Sequence, residues 1–135
     1  MAVVTCMDAR IDVLPALGLG IGDAHVLRNA GGVVTEDVLR SLAISQHALG
    51  TTGVALIHHT RCGMHGFDDA GFRADLTASS GTPPSWDVPG FHNVEDAARA
   101  AVIAVSNCPW LPHRDDIRGF VFDVDSGLLR DVHPA

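Results

Sequence analysis

The segment VALIHHTRCG, at residues 54–63, predicts a buried central strand over residues 54–58, followed by a turn with a second histidine and a cysteine. A short, continuous apolar run is typical of a strand covered on both faces, as in parallel sheets. Apolar runs at residues 2–5 and 24–28 predict two further strands, and longer helical patterns alternate with such runs. This alternation predicts an α/β fold with a mainly parallel sheet flanked by helices.

Capping residues predict two helices of this fold. Thr35 is suited to cap a helix that runs to about residue 49, and Gly50 is a natural stop for it. Asn93 is suited to cap an alanine-rich helix that ends before Pro109. Residues 63–76 predict one more helix.

The remaining segments predict a loop and a closing hairpin. Proline and glycine at residues 77–92 predict a surface loop. Residues 117–124 and 128–132 predict strands joined by a turn at residues 125–127, the last being an antiparallel edge strand. We expect residues 1–135 to form a single domain.

Composition excludes several classes of protein. Apolar residues make up 47% of the 135 residues, which is typical of a globular chain. Nine arginines, no lysine and sixteen acidic residues give a net charge of −7, so we expect no nucleic-acid partner. No apolar run approaches the length of a membrane span, and the first residues lack the basic region of a secretory signal. We therefore expect no membrane partner and a cytoplasmic location, where three cysteines indicate buried, catalytic or metal-binding thiols rather than disulfides.

Two clusters of reactive side chains follow predicted strands. Cys6, Asp8 and Arg10 alternate after the first strand, and a histidine pair with Cys62 follows the central one. Because ligands gather at the carboxyl ends of parallel strands, these clusters can share one site. Two thiolates and one imidazole suit Zn²⁺, and three ligands leave a fourth position open, as in catalytic zinc sites. Spacing alone does not choose between His58 and His59, and each residue also has a purely structural interpretation, as a core thiol or an ordinary ion pair.

The motifs together resemble those of the β-class carbonic anhydrases. Residues 6–10, CMDAR, are similar to the C-x-D-x-R motif of that family, and residues 59–63, HTRCG, to its H-x-x-C-G motif. Residues 28–32, RNAGG, resemble the glycine-rich loop between them, and residues 41–46, 109–112 and the closing hairpin also look similar. Residues 58–60, HHT, resemble a bacterial branch of the family that includes mycobacterial members.

The resemblance implies reversible hydration of CO₂ to bicarbonate and a proton, with one Zn²⁺ per chain bound by Cys6, His59 and Cys62. It implies that Asp8 accepts a hydrogen bond from the hydroxide nucleophile, that Arg10 orients Asp8, and that Asp8 becomes a fourth zinc ligand in a closed state. Gly31 and Gly32 are implied to border the substrate pocket. A homodimer or higher homo-oligomer is the implied assembly.

The sequence departs from the family at two places, and other functions stay open. Only five residues precede Cys6, so we expect the domain to lack the N-terminal helical arm of the family, and Arg61 stands where close relatives often carry an acid. One alternative is a hydrolase of COS or CS₂ that uses the same zinc chemistry. Another is a catalytically silent zinc-binding module, against which Asp8 and Arg10 argue. Cys108 is interpreted as a buried thiol, and His65 as a residue that helps to carry protons away.

Overall fold

Five strands form one sheet in the computed structural model, which describes residues 1–133. The strands are β1 (Ala2–Cys6), β2 (His25–Asn29), β3 (Val54–His59), β4 (Ile117–Phe122) and β5 (Leu129–Val132). Their order is β2-β1-β3-β4-β5, with every pair parallel except β4 and β5, which are antiparallel. The predicted fold class, including its antiparallel edge strand, is confirmed.

Four helices within residues 1–133 connect the strands. They are α1 (Val13–Ala16), α2 (Glu36–His47), α3 (Asp69–Ser80) and α4 (Val94–Ser106). The predicted caps are confirmed, because the Thr35 side chain accepts a hydrogen bond from Val38 N and the Asn93 side chain accepts one from Asp96 N. The short helix α1 was not predicted. No helix within residues 1–133 is long and apolar enough to cross a membrane.

The helix predicted over residues 63–76 is wrong in its position. Residues 63–68 form turns, with His65 N bonded to the carbonyl of Cys62 and Phe67 N bonded to that of Met64. The helix begins only after Asp68, whose side chain accepts a hydrogen bond from Gly71 N, and it continues to Ser80. The predicted loop over residues 77–92 is accordingly shorter than expected.

The sheet is covered on both faces, and this explains the apolar strands β1 and β3. All residues of these two strands are buried. On one face Val4 and Leu56 pack with Leu42 of α2 and Val102 of α4. On the other face a second cluster contains Val3, Ala55 and Ile57 with Ile11 and Val13 of the segment after β1. The single domain expected over residues 1–135 stays a prediction.

The pairing of β1 with β3 positions the functional residues. Thr5 lies opposite Ile57 in the parallel register, and its hydroxyl donates a hydrogen bond of 2.9 Å to the Ile57 carbonyl. Both strands end immediately afterwards, at Cys6 and His59. The two predicted clusters therefore emerge side by side at the carboxyl edge of the sheet.

Candidate metal centre and active site

Cys6, His59 and Cys62 come together at this edge. One potential ligand atom from each lies within 4.8 Å of the other two, and all three residues are buried. Among residues 1–133 this is the only group of three such side chains that meets this condition. The sulfur atoms of Cys6 and Cys62 are 4.0 Å apart. Two sulfurs bound to one tetrahedral zinc at about 2.3 Å are about 3.8 Å apart, so the observed spacing fits this metal.

The ring of His59 is oriented for ligation by its own neighbour. Its Nδ1 lies 2.7 Å from the carbonyl oxygen of Thr60. Because a carbonyl only accepts hydrogen bonds, Nδ1 carries the proton and Nε2 presents a lone pair. That Nε2 is buried and has no hydrogen-bond partner. A buried polar atom without a partner is costly, and a cation between it and the two sulfurs removes the cost.

The electrostatics of Cys62 also indicate a cation. Burial raises the pKa of the Cys62 thiol to about 11, and the nearby Cys6 sulfur contributes to the increase. Two thiolates so close together repel each other unless a positive charge lies between them. A bound metal cation deprotonates its thiol ligands and reverses this shift. The donor set of two sulfurs and one imidazole nitrogen therefore fits zinc.

Arg10 holds the carboxylate of Asp8 beside this cluster. The Nε and Nη2 atoms of Arg10 donate hydrogen bonds of 3.0 and 2.8 Å to the two oxygens of Asp8, and the Arg10 backbone N–H donates a third of 2.9 Å. These bonds hold the pKa of Asp8 well below its usual range. Oδ2 of Asp8 lies 3.8 Å from Nε2 of His59, so the anion borders the metal cluster. Both carboxylate oxygens are engaged by Arg10 in this arrangement.

Arg28 stabilises the loop that carries Cys6 and Asp8, a contribution that the sequence analysis missed. Its guanidinium donates hydrogen bonds to the backbone carbonyls of Cys6 at 2.9 Å, Asp8 at 2.6 Å and Ile11 at 3.1 Å. An arginine fork is well suited to gather several acceptors. Arg28 belongs to the RNAGG motif, but nothing in that motif indicates which carbonyls the side chain meets.

The two glycines of the same motif pack against Cys6. The backbone N–H of Gly31 donates a hydrogen bond of 3.3 Å to the sulfur of Cys6. Gly32 has a φ of 64°, and a Cβ atom at this position would lie 2.9 Å from the backbone nitrogen of Cys6. Only glycine allows this loop to lie so close to the end of β1. A substrate contact for Gly31 and Gly32 stays a prediction.

The histidines of β3 have different surroundings, which the spacing alone could not distinguish. His59 faces the sulfurs, whereas His58 packs edge-on against Phe91, with ring centroids 6.0 Å apart. Burial lowers the pKa of His58 to about 4, and the neighbouring His59 contributes to this shift. His58 lines a separate, mainly apolar cavity of about 320 Å³. It is therefore a neutral core histidine above this pKa.

A cavity of about 220 Å³ adjoins the cluster. It is lined by His59, Thr60, Arg61, Cys62, His65, Phe91 and Val94. His65 lies on its wall with Nε2 donating to the carbonyl of His92 at 2.8 Å, and its role in proton transfer stays a prediction. Cys108 is buried in the core beside α4, as predicted.

Known carbonic anhydrases are similar to this chain in sequence and in structure. The family model for carbonic anhydrase matches residues 1–80. β-Carbonic anhydrase 1 of Mycobacterium tuberculosis is 45% identical over 134 residues, covering 99% of this chain and 82% of the relative. The crystal structure of carbonic anhydrase from Streptococcus mutans superposes with a TM-score of 0.91 at 44% identity, covering 98% of this chain and 80% of that one.

A relative that is named for another activity has a lower identity. A carbon disulfide hydrolase of Acidithiobacillus thiooxidans is 34% identical over 152 aligned positions, covering 97% of this chain and 76% of the relative. The higher identity, and the structural match at 44% identity, are both to carbonic anhydrases. By its motifs, its sheet, its two-cysteine, one-histidine cluster and these likenesses, the chain belongs to the β class of the carbonic anhydrase family.

Proposed function

We propose that this protein is a zinc-dependent carbonic anhydrase that interconverts CO₂ and bicarbonate. Cys6, His59 and Cys62 hold one Zn²⁺ per chain, and Asp8 with Arg10 forms the catalytic pair beside it. Zinc in such a site would act as a Lewis acid and make a hydroxide nucleophile available near neutral pH. The relatives named carbonic anhydrase support this assignment, at up to 45% identity.

The chain's own residues position the reacting groups. Asp8 stays anionic because Arg10 donates three hydrogen bonds to it, so its oxygens accept hydrogen bonds and do not donate them. An acceptor beside the metal cluster orients the hydroxyl hydrogen of the nucleophile away from the carbon that is attacked. Arg10 acts by orienting Asp8, as an arginine fork orients any carboxylate. Phe91 and Val94 give the cavity an apolar wall that suits a nonpolar substrate such as CO₂.

The observation that carries the proposal is the Asp8–Arg10 pair next to a three-ligand cluster. A closed structural zinc site needs four ligands and no such pair, whereas a catalytic site keeps a position open. Both oxygens of Asp8 bond to Arg10, which supports an open site rather than the closed one in which Asp8 is a fourth ligand. It also argues against a catalytically silent module.

Stopped-flow measurement of CO₂ hydration on metal-quantified protein tests the proposal. We expect turnover that rises with zinc content up to one zinc per chain. Protein with one zinc per chain but no hydration above the buffer rate would contradict it.

A second candidate is hydrolysis of CS₂ or COS with the same zinc chemistry. It is supported by the carbon disulfide hydrolase relative at 34% identity. Turnover of CO₂, COS and CS₂ by one zinc-loaded preparation separates the two activities. Faster turnover of CS₂ than of CO₂ would favour the second candidate.

We further propose a homo-oligomer, at least a homodimer, in a reducing cytoplasm. Helix α3 buries none of its residues within the chain although it contains Phe72 and Leu76, which supports a surface covered by another copy. The described cysteines are all free, which supports a reducing compartment, where disulfides are rare. Sedimentation of the zinc-loaded protein at several concentrations tests the assembly, and a monomer at every concentration would contradict it.

A further inference from the structure

Arg10 makes one contact that the catalytic pair itself does not explain. The Nη2 nitrogen that donates to Asp8 also donates a hydrogen bond of 3.0 Å to the backbone carbonyl of Arg61. Arg61 lies between two of the proposed metal ligands, in the turn after β3. The position of its carbonyl therefore helps to set the position of the Arg10 guanidinium.

The backbone of Arg61 has an unusual conformation. With a φ of 55°, it is the only non-glycine residue within residues 1–133 that has a positive φ. A residue with a long side chain rarely adopts this left-handed region and stays there only when the surroundings hold it. Contacts elsewhere in the fold must therefore hold Arg61 in place.

The turn between β4 and β5 supplies these contacts. The guanidinium of Arg61 forms an ion pair of 3.1 Å with Asp125. Next to it, Thr60 N donates to the carbonyl of Phe122 at 3.0 Å, and the Thr60 hydroxyl accepts from Val124 N at 3.1 Å. The end of β4 and the turn after it thus hold the backbone and hydroxyl of Thr60 and the side chain of Arg61.

We propose that Asp125 and Arg61 are positioning residues for the Asp8–Arg10 pair. Asp125 fixes the side chain of Arg61, this restrains its left-handed backbone, and the carbonyl so placed holds Arg10 against Asp8. The turn between β4 and β5 thereby contributes to catalysis without touching substrate. The inference rests on the proposed function, because it concerns the same catalytic pair.

The test compares zinc-loaded wild type with Asp125→Ala, Arg61→Ala and the double variant; alanine at residue 61 removes the ion pair but keeps the steric cost of a positive φ. An exposed ion pair of this kind is worth up to about a fivefold change in an equilibrium. We expect each single variant to lower kcat about two- to fivefold with KM and zinc content unchanged. Because both act through one pair, we expect the double variant to resemble the single ones rather than their product. Asp125→Glu, which keeps the carboxylate, should restore most of the rate.

A second measurement does not depend on activity. The side-chain Nε–H of Arg10, which donates to Asp8, gives an NMR signal that an Arg10→Lys variant identifies. We expect faster solvent exchange of this proton in Asp125→Ala. The matched control is Asp37→Ala, which removes a similarly exposed ion pair to Arg40 on helix α2; it should change neither kcat nor the exchange rate.

The outcomes separate the two proposals. A zinc-loaded wild type without CO₂ hydration contradicts the proposed function and leaves the NMR measurement to judge the positioning role. If the wild type is active, the positioning role is overturned when Asp125→Ala has the kcat and the Arg10 exchange rate of the wild type. Loss of zinc from Asp125→Ala also overturns the positioning role, since the turn would then support the metal ligands rather than the Asp8–Arg10 pair. Multiplicative effects in the double variant would overturn it as well.

Discussion

Replacing Asp8 by asparagine tests the catalytic pair most directly. The carboxylate has two oxygens that accept three hydrogen bonds from Arg10. Asparagine has one oxygen of nearly the same geometry, but its amide nitrogen is a donor that must face another donor on Arg10. The substitution therefore removes the negative charge and at least one charge-assisted hydrogen bond with little change in volume.

The structure allows the magnitude to be worked out. A hydrogen bond to a charged group contributes about 1.5–3 kcal/mol, and about 1.4 kcal/mol corresponds to a tenfold change in rate. If this energy is lost in the transition state, we expect kcat/KM for CO₂ hydration to fall about 10- to 150-fold. The cluster of Cys6, His59 and Cys62 does not include Asp8, so zinc content should stay at one per chain.

Stopped-flow hydration, with zinc measured by plasma emission on the same samples, is the appropriate assay. Asp12→Asn is the matched control, since Asp12 is exposed in the same loop and its side chain makes no capping hydrogen bond; its rate should equal that of the wild type. An Asp8→Asn protein with one zinc per chain and a rate within twofold of the wild type would refute the role of Asp8.

Three further predictions concern the ligand, the glycine loop and the core histidine. Cys62→Ser should release most of the zinc, as measured by metal analysis after dialysis, and one tightly held zinc per chain would disprove the ligand assignment. Gly32→Ala should lower the free energy of unfolding by about 2–4 kcal/mol, because residue 32 has a positive φ and the added Cβ would lie 2.9 Å from the Cys6 nitrogen. At Gly50 φ is 76° but no atom lies within 4 Å of the added Cβ, so Gly50→Ala should lower the free energy of unfolding less in the same denaturant titration. The pKa of His58 is about 4 in the folded protein against the usual 6.5, so between these pH values the unfolded chain binds more protons than the folded one. The free energy of unfolding of the wild type should therefore be highest above pH 6.5 and should decrease by about 3 kcal/mol as the pH falls to 4. His58→Phe should show a flatter pH dependence in paired urea titrations, and parallel curves for the two proteins would contradict the buried, neutral state.

Local signals made much of the fold predictable. The apolar runs of β1 and β3 identify buried strands because such runs are costly anywhere else, and Thr35 and Asn93 identify helix starts because each can satisfy a free backbone N–H. The start of α3 was misplaced because contacts distant in sequence, in addition to local turn bonds, hold the preceding segment out of a helix. Gly66 N, for example, bonds to the carbonyl of Phe91, 25 residues away.

The site was predictable in its residues but not in its arrangement. Cys6, Asp8, Arg10 and Cys62 stand out by residue type and spacing, yet only the pairing of β1 with β3 shows that the two segments meet. The bonds from Arg28 to three carbonyls likewise depend on the path of the loop after β1, which no residue pattern records.

The support of His59 by the carbonyl of Thr60 has a consequence for acid tolerance. In many metal sites a carboxylate fixes the ligating imidazole, and that carboxylate can itself take up a proton and release its grip. A peptide oxygen has no such second state in the physiological range. The ring in this protein is therefore oriented by a partner that does not titrate, so mild acidification leaves this support of the ring in place.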